Sequence, residues 1–374
     1  MSNPSTRVLS VFGTRPEAIK MAPVVRALES SPHIDSLVCV TGQHREMLDQ
    51  VVELFGLQVD ADLDVMTTSQ SLTTLTNAVL QGLEPVLTSM KPDWVLVHGD
   101  TTTTMATSLA AYYQQISVGH VEAGLRTGNI YSPWPEEINR SVTGRIARAH
   151  FAPTAGAKEN LLAENVDSDA ILVTGNTVID ALMWVRDHRL TDSPESREIA
   201  SAFPFLDPEK RLILVTGHRR ESFDGGLVRM CEALVTLASR GDVQILYPVH
   251  LNPLVREAAE STLRGVNDVF LVEPQEYLPF VWLMDRAHLI ISDSGGVQEE
   301  APALGVPVLV TRDTTERPEA VESGVVKLVG TDPHAIVTSA TELLDNDDIY
   351  ASMSRALSPY GDGHAADRIT EFLA

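Results

Sequence analysis

The sequence is short of positive charge: 28 lysines and arginines stand against 51 aspartates and glutamates, a net charge of −23 over 374 residues. Binding a phosphate backbone needs a basic face, so this balance argues against nucleic acid as a partner. Cysteine is scarcer still. The chain has two, Cys39 and Cys231, far apart in apolar stretches and without metal-type spacing; free buried thiols in a reducing cytosol are expected. No stretch approaches the roughly 18 consecutive apolar residues of a membrane helix, and the opening MSNPSTR has no apolar signal core. A cytoplasmic chain without a membrane segment is therefore expected. Neither G-x-G-x-x-G nor G-x-x-x-x-G-K-[ST] occurs, which disfavours dinucleotide redox enzymes and P-loop NTPases.

What is present describes a globular α/β protein. Hydrophobic residues make up 44% of the chain, and the length exceeds what one core normally organises, so two domains are expected. Apolar strand-like runs at 7–12, 37–41, 94–98, 117–121, 150–152 and 171–174 alternate with helical spacing at 46–55, 83–90, 103–113, 136–147, 157–165 and 178–186. Short loops between such units mean a parallel sheet covered on both faces. The stretch 191–210, rich in proline, serine and charge, breaks the pattern. Strands resume at 212–216, 243–248, 269–272, 289–291, 306–311 and 325–329, and a short helix closes the chain at 363–373. VFGTRPE (11–17) and VTGHRRE (215–221) open the two halves alike, each placing Arg and Glu shortly after a strand and a glycine.

Ligands of open parallel sheets bind beyond the carboxyl ends of the strands, and there this chain concentrates its charge. Arg15 with Lys20, His98 and Asp100, His120 and Glu122, Glu136 and Glu137, His218 to Glu221, and His250 all follow strands. So does SDSGG (292–296), a turn whose backbone N–H groups and following helix start suit a phosphate. Arg15, Lys20, Arg219 and Arg220 in so acidic a chain suit a diphosphate. Asp100, Glu122 and Glu136 are then candidates for proton transfer, with structural ion pairs as the plain alternative. His98 with Asp100 and His120 with Glu122 also have the spacing of a four-ligand metal site that activates water.

The motifs FGTRPEAIKMAP (12–23), GQHREMLDQ (42–50), VHGDTTTT (97–104), GHVEAGLRTG (119–128), SPWPEEINR (132–140), TGNTVIDAL (174–182), VTGHRRESF (215–223), PVHLNP (248–253), EPQEYLPFVWLM (273–284), SDSGGVQEEAP (292–302) and RDTTERPEAV (312–321) run the length of the chain in order. In them the sequence resembles the non-hydrolysing bacterial UDP-N-acetylglucosamine 2-epimerases. The resemblance implies two Rossmann-like domains facing across a cleft in the GT-B arrangement: 1–185, joined by a C-terminal helix at 360–374 that crosses back, and 186–359. It implies a homodimer, no metal and no cofactor. Arg15, Lys20, Asp100, Glu122, Glu136 and His218 match the family's active-site positions. Gln275, Phe280, Ser294, Gly295, Gly296, Glu300 and Arg317 match its nucleotide-binding ones, with Phe280 at uracil, the Ser-Gly-Gly turn on phosphate and Glu300 on ribose. Glu299 is then expected to be structural. Gln43, His44 and Gln70 fall where some members bind a second, activating UDP-N-acetylglucosamine.

The implied reaction is reversible inversion at sugar carbon 2 through elimination and re-addition of UDP, with UDP-N-acetylmannosamine as the other partner. It asks for a proton-transfer group on each face of the sugar, which accounts for several carboxylates, and for a firm hold on free UDP. The hydrolysing epimerases, which release free sugar, and retaining glycosyltransferases of the same fold are the alternatives. A metal hydrolase and a nucleotide-sugar sensor are more distant ones.

Overall fold

The computed structural model describes residues 5–42, 45–66, 70–217, 219, 225–315, 317–355 and 358–374. Apolar runs ended by glycine or threonine turns become strands, and the amphipathic segments after them become helices. Seven strands form the first sheet: β1 (Thr6–Phe12), β2 (Ile34–Val40), β3 (Ala61–Asp62), β4 (Trp94–His98), β5 (Ser117–Val121), β6 (Ala149–Ala152) and β7 (Ile171–Val173). Its helices are α1 (Arg15–Ser30), α2 (Arg45–Phe55), α3 (Leu72–Met90), α4 (Thr102–Tyr113), α5 (Glu136–Ile146), α6 (Ala155–Ala163) and α7 (Thr177–Val185). After α8 (Pro194–Ala202) a second sheet of six strands follows: β8 (Arg211–Thr216), β9 (Val243–Pro248), β10 (Val269–Val272), β11 (Leu289–Ser292), β12 (Val308–Val310) and β13 (Val326–Leu328). Between and after them lie α9 (Gly226–Ala238), α10 (Pro253–Leu263), α11 (Tyr277–Arg286), α12 (Gly295–Glu300), α13 (Pro318–Glu322), α14 (Pro333–Asp345), α15 (Asp347–Ser354) and α16 (Ala365–Leu373).

Among the described residues every strand pairing is parallel. The strand orders are β3-β2-β1-β4-β5-β6-β7 and β10-β9-β8-β11-β12-β13. Each is a Rossmann order, and each reverses direction once, between β1 and β4 and between β8 and β11. The chain divides into two compact units, Met1–Ala181 with Tyr360–Ala374, and Leu182–Pro359.

In the first unit, Leu9, Val11, Val95 and Val97 of the sheet pack against Val79, Leu83 and Leu87 of α3 and Ala106 of α4. In the second, Ile213, Val215, Ile245 and Tyr247 meet Leu234 and Leu237 of α9 and Ile336 and Leu343 of α14. Each such side chain contributes about 1.5–3 kcal/mol when fully buried. The last helix belongs to the first unit. It packs on α1, Phe372 sets its ring edge-on to Trp94 and Phe151, and Asp180 accepts from Ala366 N at 2.7 Å.

Four details depart from the sequence pattern. Helix α3 starts at Leu72, eleven residues before the apolar spacing becomes regular, with Ser71 accepting from Thr74 N at 3.1 Å as its cap. Strand β3 is two residues long, too short to leave a pattern. Helix α7 runs on into a π turn, Arg186–Leu190. The stretch 191–210 carries α8, which Trp282 holds through a hydrogen bond from its indole N–H to Ser196 Oγ at 3.1 Å. Among the described residues no helix is long and apolar enough to cross a membrane.

Candidate functional site

The reversal of strand order leaves a gap above each sheet where two turns diverge, and in both units the charged motifs stand at that gap. In the first unit these are the turns after β1 and β4. Thr14 caps α1 and forms a capping box with Glu17. Glu17 does more than cap. Its Oε2 accepts from Gly13 N at 3.0 Å and Thr14 N at 2.8 Å, and its Oε1 accepts from Thr101 Oγ1 at 2.5 Å and Thr104 Oγ1 at 3.1 Å. One buried carboxylate thus ties the turn that carries Arg15 and Lys20 to the turn that carries Asp100. Burial raises its pKa, opposed by the hydrogen bonds from Thr101, Gly13 and Thr14. Gly13 is required here, since a Cβ would lie 1.9 Å from Thr41 Oγ1.

Three of the predicted carboxylates converge beside these turns. Asp100 has its pKa raised, first by burial and further by the charges of Glu122 and Glu136, while Arg140 pulls it down. Arg140 Nη2 lies 2.5 Å from Asp100 Oδ2, and its Nη1 lies 3.4 Å from Glu137 Oε2. Asn139 Nδ2 donates to the Asp100 carbonyl at 2.9 Å. Glu137 is buried and accepts from Thr127 N and Gly128 N at 3.0 and 2.9 Å, so it holds the loop before α5 and leaves Glu136 as the carboxylate that faces Asp100 electrostatically. Glu122 Oε2 pairs with Lys20 Nζ, accepts from Asn176 Nδ2 at 3.1 Å, and lies 3.8 Å from His98 Nε2. Burial depresses the His98 pKa to about 4, so this imidazole is neutral near pH 7. His120 places Nε2 2.7 Å from the Gly99 carbonyl and stands in register with His150 on β6. Burial lowers these two to about 3 and about 4. Among the described residues no group of three or more His, Cys, Asp or Glu is arranged to hold a metal ion.

In the second unit the turns follow β8 and β11. Thr216 and Ser292 join their hydroxyls at 2.6 Å, Ser294 N donates to Ser292 Oγ at 2.9 Å, and Arg219 N donates to Asp293 Oδ2 at 2.8 Å. Ser294 is the N-cap of α12, yet its hydroxyl does not cap the helix. Two guanidinium groups converge on the turn: a Cβ on Gly295 would lie 3.7 Å from Arg219 Nη2 and 3.8 Å from Arg317 Nη2. Gln298, fully buried, donates to the Ser294 carbonyl at 3.1 Å and accepts from Thr315 Oγ1 at 2.6 Å, which fixes the loop before Arg317. Arg317 Nε is paired with Glu299, so Glu299 serves to orient that arginine. Glu300 is buried one residue on. Two cations over a glycine turn suit a diphosphate.

Other predicted positions are scattered. Phe280 is half-buried on α11. Gln275 donates to the Glu273 carbonyl at 2.6 Å. Gln70 donates its amide to the Val65 carbonyl at 3.0 Å. Gln43, His44, His218 and Arg220 lie outside the described residues. Sequence reasoning passed over Glu17, Arg140 and Asn176 as site residues. The Thr14-x-x-Glu17 box was a readable trace of the first, and the TGN turn at 174–176 of the last; Arg140, inside a helix, left none.

Two Rossmann-type sheets with the last helix returned to the first unit define a GT-B-like protein. Consistent with that class, a crystal structure of a glycosyltransferase from Rickettsia africae matches 99% of the chain with a TM-score of 0.65 at 15% identity, a likeness of fold alone. A family model described as UDP-N-acetylglucosamine 2-epimerase matches residues 26–374. The UDP-N-acetylglucosamine 2-epimerase of Escherichia coli K12 is 60% identical over 368 residues, covering 98% of both chains. A crystal structure of UDP-GlcNAc 2-epimerase from Neisseria meningitidis bound to UDP-GlcNAc matches with a TM-score of 0.88 and 52% identity, over 98% of this chain and 99% of that one. The chain belongs to the UDP-N-acetylglucosamine 2-epimerase family.

Proposed function

We propose that the chain is a cytoplasmic isomerase that interconverts UDP-N-acetylglucosamine and UDP-N-acetylmannosamine. The observation that carries this reading is the convergence of Asp100, Glu122 and Glu136 with Lys20 at the strand-order reversal of the first unit. In the forward direction a carboxylate takes the proton from carbon 2 and the bond from carbon 1 to the UDP oxygen breaks. This leaves an enzyme-held 2-acetamidoglucal and UDP. Re-addition of UDP at carbon 1, with proton delivery to the opposite face of carbon 2, gives the epimer. Two carboxylates on opposite faces are required because the proton leaves one side and returns to the other.

The second unit holds UDP while it is a free leaving group. Arg219 and Arg317 converge on the Ser294-Gly295-Gly296 turn, with Phe280 assigned to the uracil end, Glu300 to the ribose and Gln275 to the nucleotide. Arg15 and His218 are assigned to the departing phosphate, where a cation stabilises developing charge. The raised pKa of Asp100 suits it to carry a proton. We read the assembly as a homodimer. The adjacent exposed Tyr112 and Tyr113 at the end of α4 support a covered face.

Incubation with UDP-N-acetylglucosamine in deuterium oxide, followed by proton NMR, tests the reading. UDP-N-acetylmannosamine deuterated at carbon 2 is expected, with no accumulation of free sugar and no loss of rate in EDTA. Free N-acetylmannosamine as the main product would select hydrolysis, and absence of exchange at carbon 2 would remove both.

A further inference from the structure

The TGN turn after β7 has no part in the reaction as described, yet its side chain reaches the reacting region. Gly175 has φ +91, and a Cβ there would lie 3.2 Å from Gly361 Cα and 3.4 Å from the Tyr360 carbonyl. The turn and the returning C-terminal segment therefore meet backbone to backbone. Asn176, buried beside them, donates its backbone N–H to the Tyr360 carbonyl at 2.6 Å. Its side-chain Oδ1 accepts from Val178 N at 3.0 Å in the first turn of α7. An amide that accepts through Oδ1 must present Nδ2 on its other side, and Nδ2 donates to Glu122 Oε2 at 3.1 Å.

Glu122 needs such a partner. Its φ of +61 lies in the left-handed region, where a glutamate persists only when its surroundings hold it. Lys20 reaches the same oxygen by a long side chain with several rotatable bonds. Asn176 is short and held at both ends, so it gives the carboxylate its fixed reference. Placement in the chain adds a second link. The chain passes between the two units at 181/182 and at 359/360. Asn176 precedes the first passage by a few residues, and the carbonyl it binds belongs to Tyr360, the first residue after the second.

We infer that Asn176 is a positioning residue for Glu122: its amide orients the carboxylate for proton transfer and ties that orientation to both passages of the chain between the units. The inference rests on the reading of Glu122 as a proton-transfer group. Asn176→Asp separates this role from helix capping. Aspartate caps as well as asparagine and keeps an acceptor for Val178 N, but it sets a carboxylate against Glu122. A role in capping alone predicts wild-type behaviour. Positioning predicts a fall in kcat of about 100-fold, the scale of a roughly 1 Å misplacement, with KM for UDP-N-acetylglucosamine close to wild type. Asn176→Ser repeats the test without new charge, since serine caps but falls short of Glu122; a reduced kcat is expected again. Glu122→Gln, run alongside, is expected to be inactive. Wild-type kcat in Asn176→Asp or Asn176→Ser, with Glu122→Gln inactive, would overturn the inference alone. Near-normal turnover in Glu122→Gln would remove the reading beneath it.

Discussion

Glu17 provides a quantitative test of how the first unit holds its two site-bearing turns together. Truncation to alanine removes the acceptor of four donors. The hydroxyls of Thr101 and Thr104 can turn elsewhere; Thr104 Oγ1 already lies 2.5 Å from the His98 carbonyl. The N–H groups of Gly13 and Thr14 are fixed by the backbone. Each buried donor left unsatisfied costs about 1–3 kcal/mol, and relief from burying a carboxylate offsets part of the sum. A net loss of about 2–4 kcal/mol follows, or a melting temperature lower by roughly 5–15 °C for a unit of about 200 residues. Glu17→Gln should differ by no more than about 1 kcal/mol. Its carbonyl serves both N–H groups as Oε2 does now, and its NH2 donates to threonine oxygens able to accept.

The two stable forms should still diverge with pH. Burial raises the folded-state pKa of Glu17 above its ordinary 4.5. Between the unfolded and folded values the folded chain binds more protons, so the stability this group contributes is greatest below 4.5 and is lost as pH rises through the folded value. The wild type should therefore gain on Glu17→Gln as pH falls from neutral toward 4.5. Thermal melts of the three proteins at several pH values measure both effects. Equal melting temperatures for Glu17→Ala and Glu17→Gln, or a wild-type-to-Gln difference flat in pH, would refute the reasoning.

Arg317→Lys keeps a cation beside Glu299 but loses the fork that serves both Glu299 and the glycine turn; UDP binding measured by calorimetry should weaken roughly 10-fold, and an unchanged Kd would exclude Arg317 from the phosphate site. Asp180, whose pKa burial pushes up to about 6, holds the start of α16 through Ala366 N. The stability it adds in the protonated form is lost as pH rises through about 6; Asp180→Asn should remove that step from a plot of melting temperature against pH, and a step of unchanged size would assign it elsewhere.

Most of the sheet architecture was legible because its strands are buried on both faces and bounded by turn residues. Trp94–His98, Ser117–Val121 and Val243–Pro248 have the bounds that their apolar runs predict, as does the half-buried edge strand Val269–Val272. The first turns of α3 were not legible, since Thr73, Thr74, Thr76 and Asn77 favour other structures by propensity and are helical through the Ser71 cap and the burial of Leu75 and Val79 beside them. Of the site, the residues that end strands were visible because position and charge coincide there. The residues that orient them were not. Arg140 acts across 40 positions and Asn176 across 54, and no local pattern records which carboxylate a distant amide or guanidinium will meet.

The three buried imidazoles have a bearing on acid tolerance. His98, His120 and His150 are held neutral, with pKa values of about 4, 3 and 4 against an ordinary 6.5. An unfolded chain would charge each of them near 6.5 while the folded one refuses the proton. Below that value every such histidine withdraws about 1.4 kcal/mol of stability per pH unit until its own folded-state value is reached. The carboxylates whose pKa values burial raises, Glu17, Asp100 and Asp180, run the other way, Asp180 from about 6 downward. The first unit thus carries two opposed proton reservoirs. Conservative replacement of a single buried histidine by a residue that cannot titrate would tip the chain toward survival in mild acid without altering a charge at neutral pH.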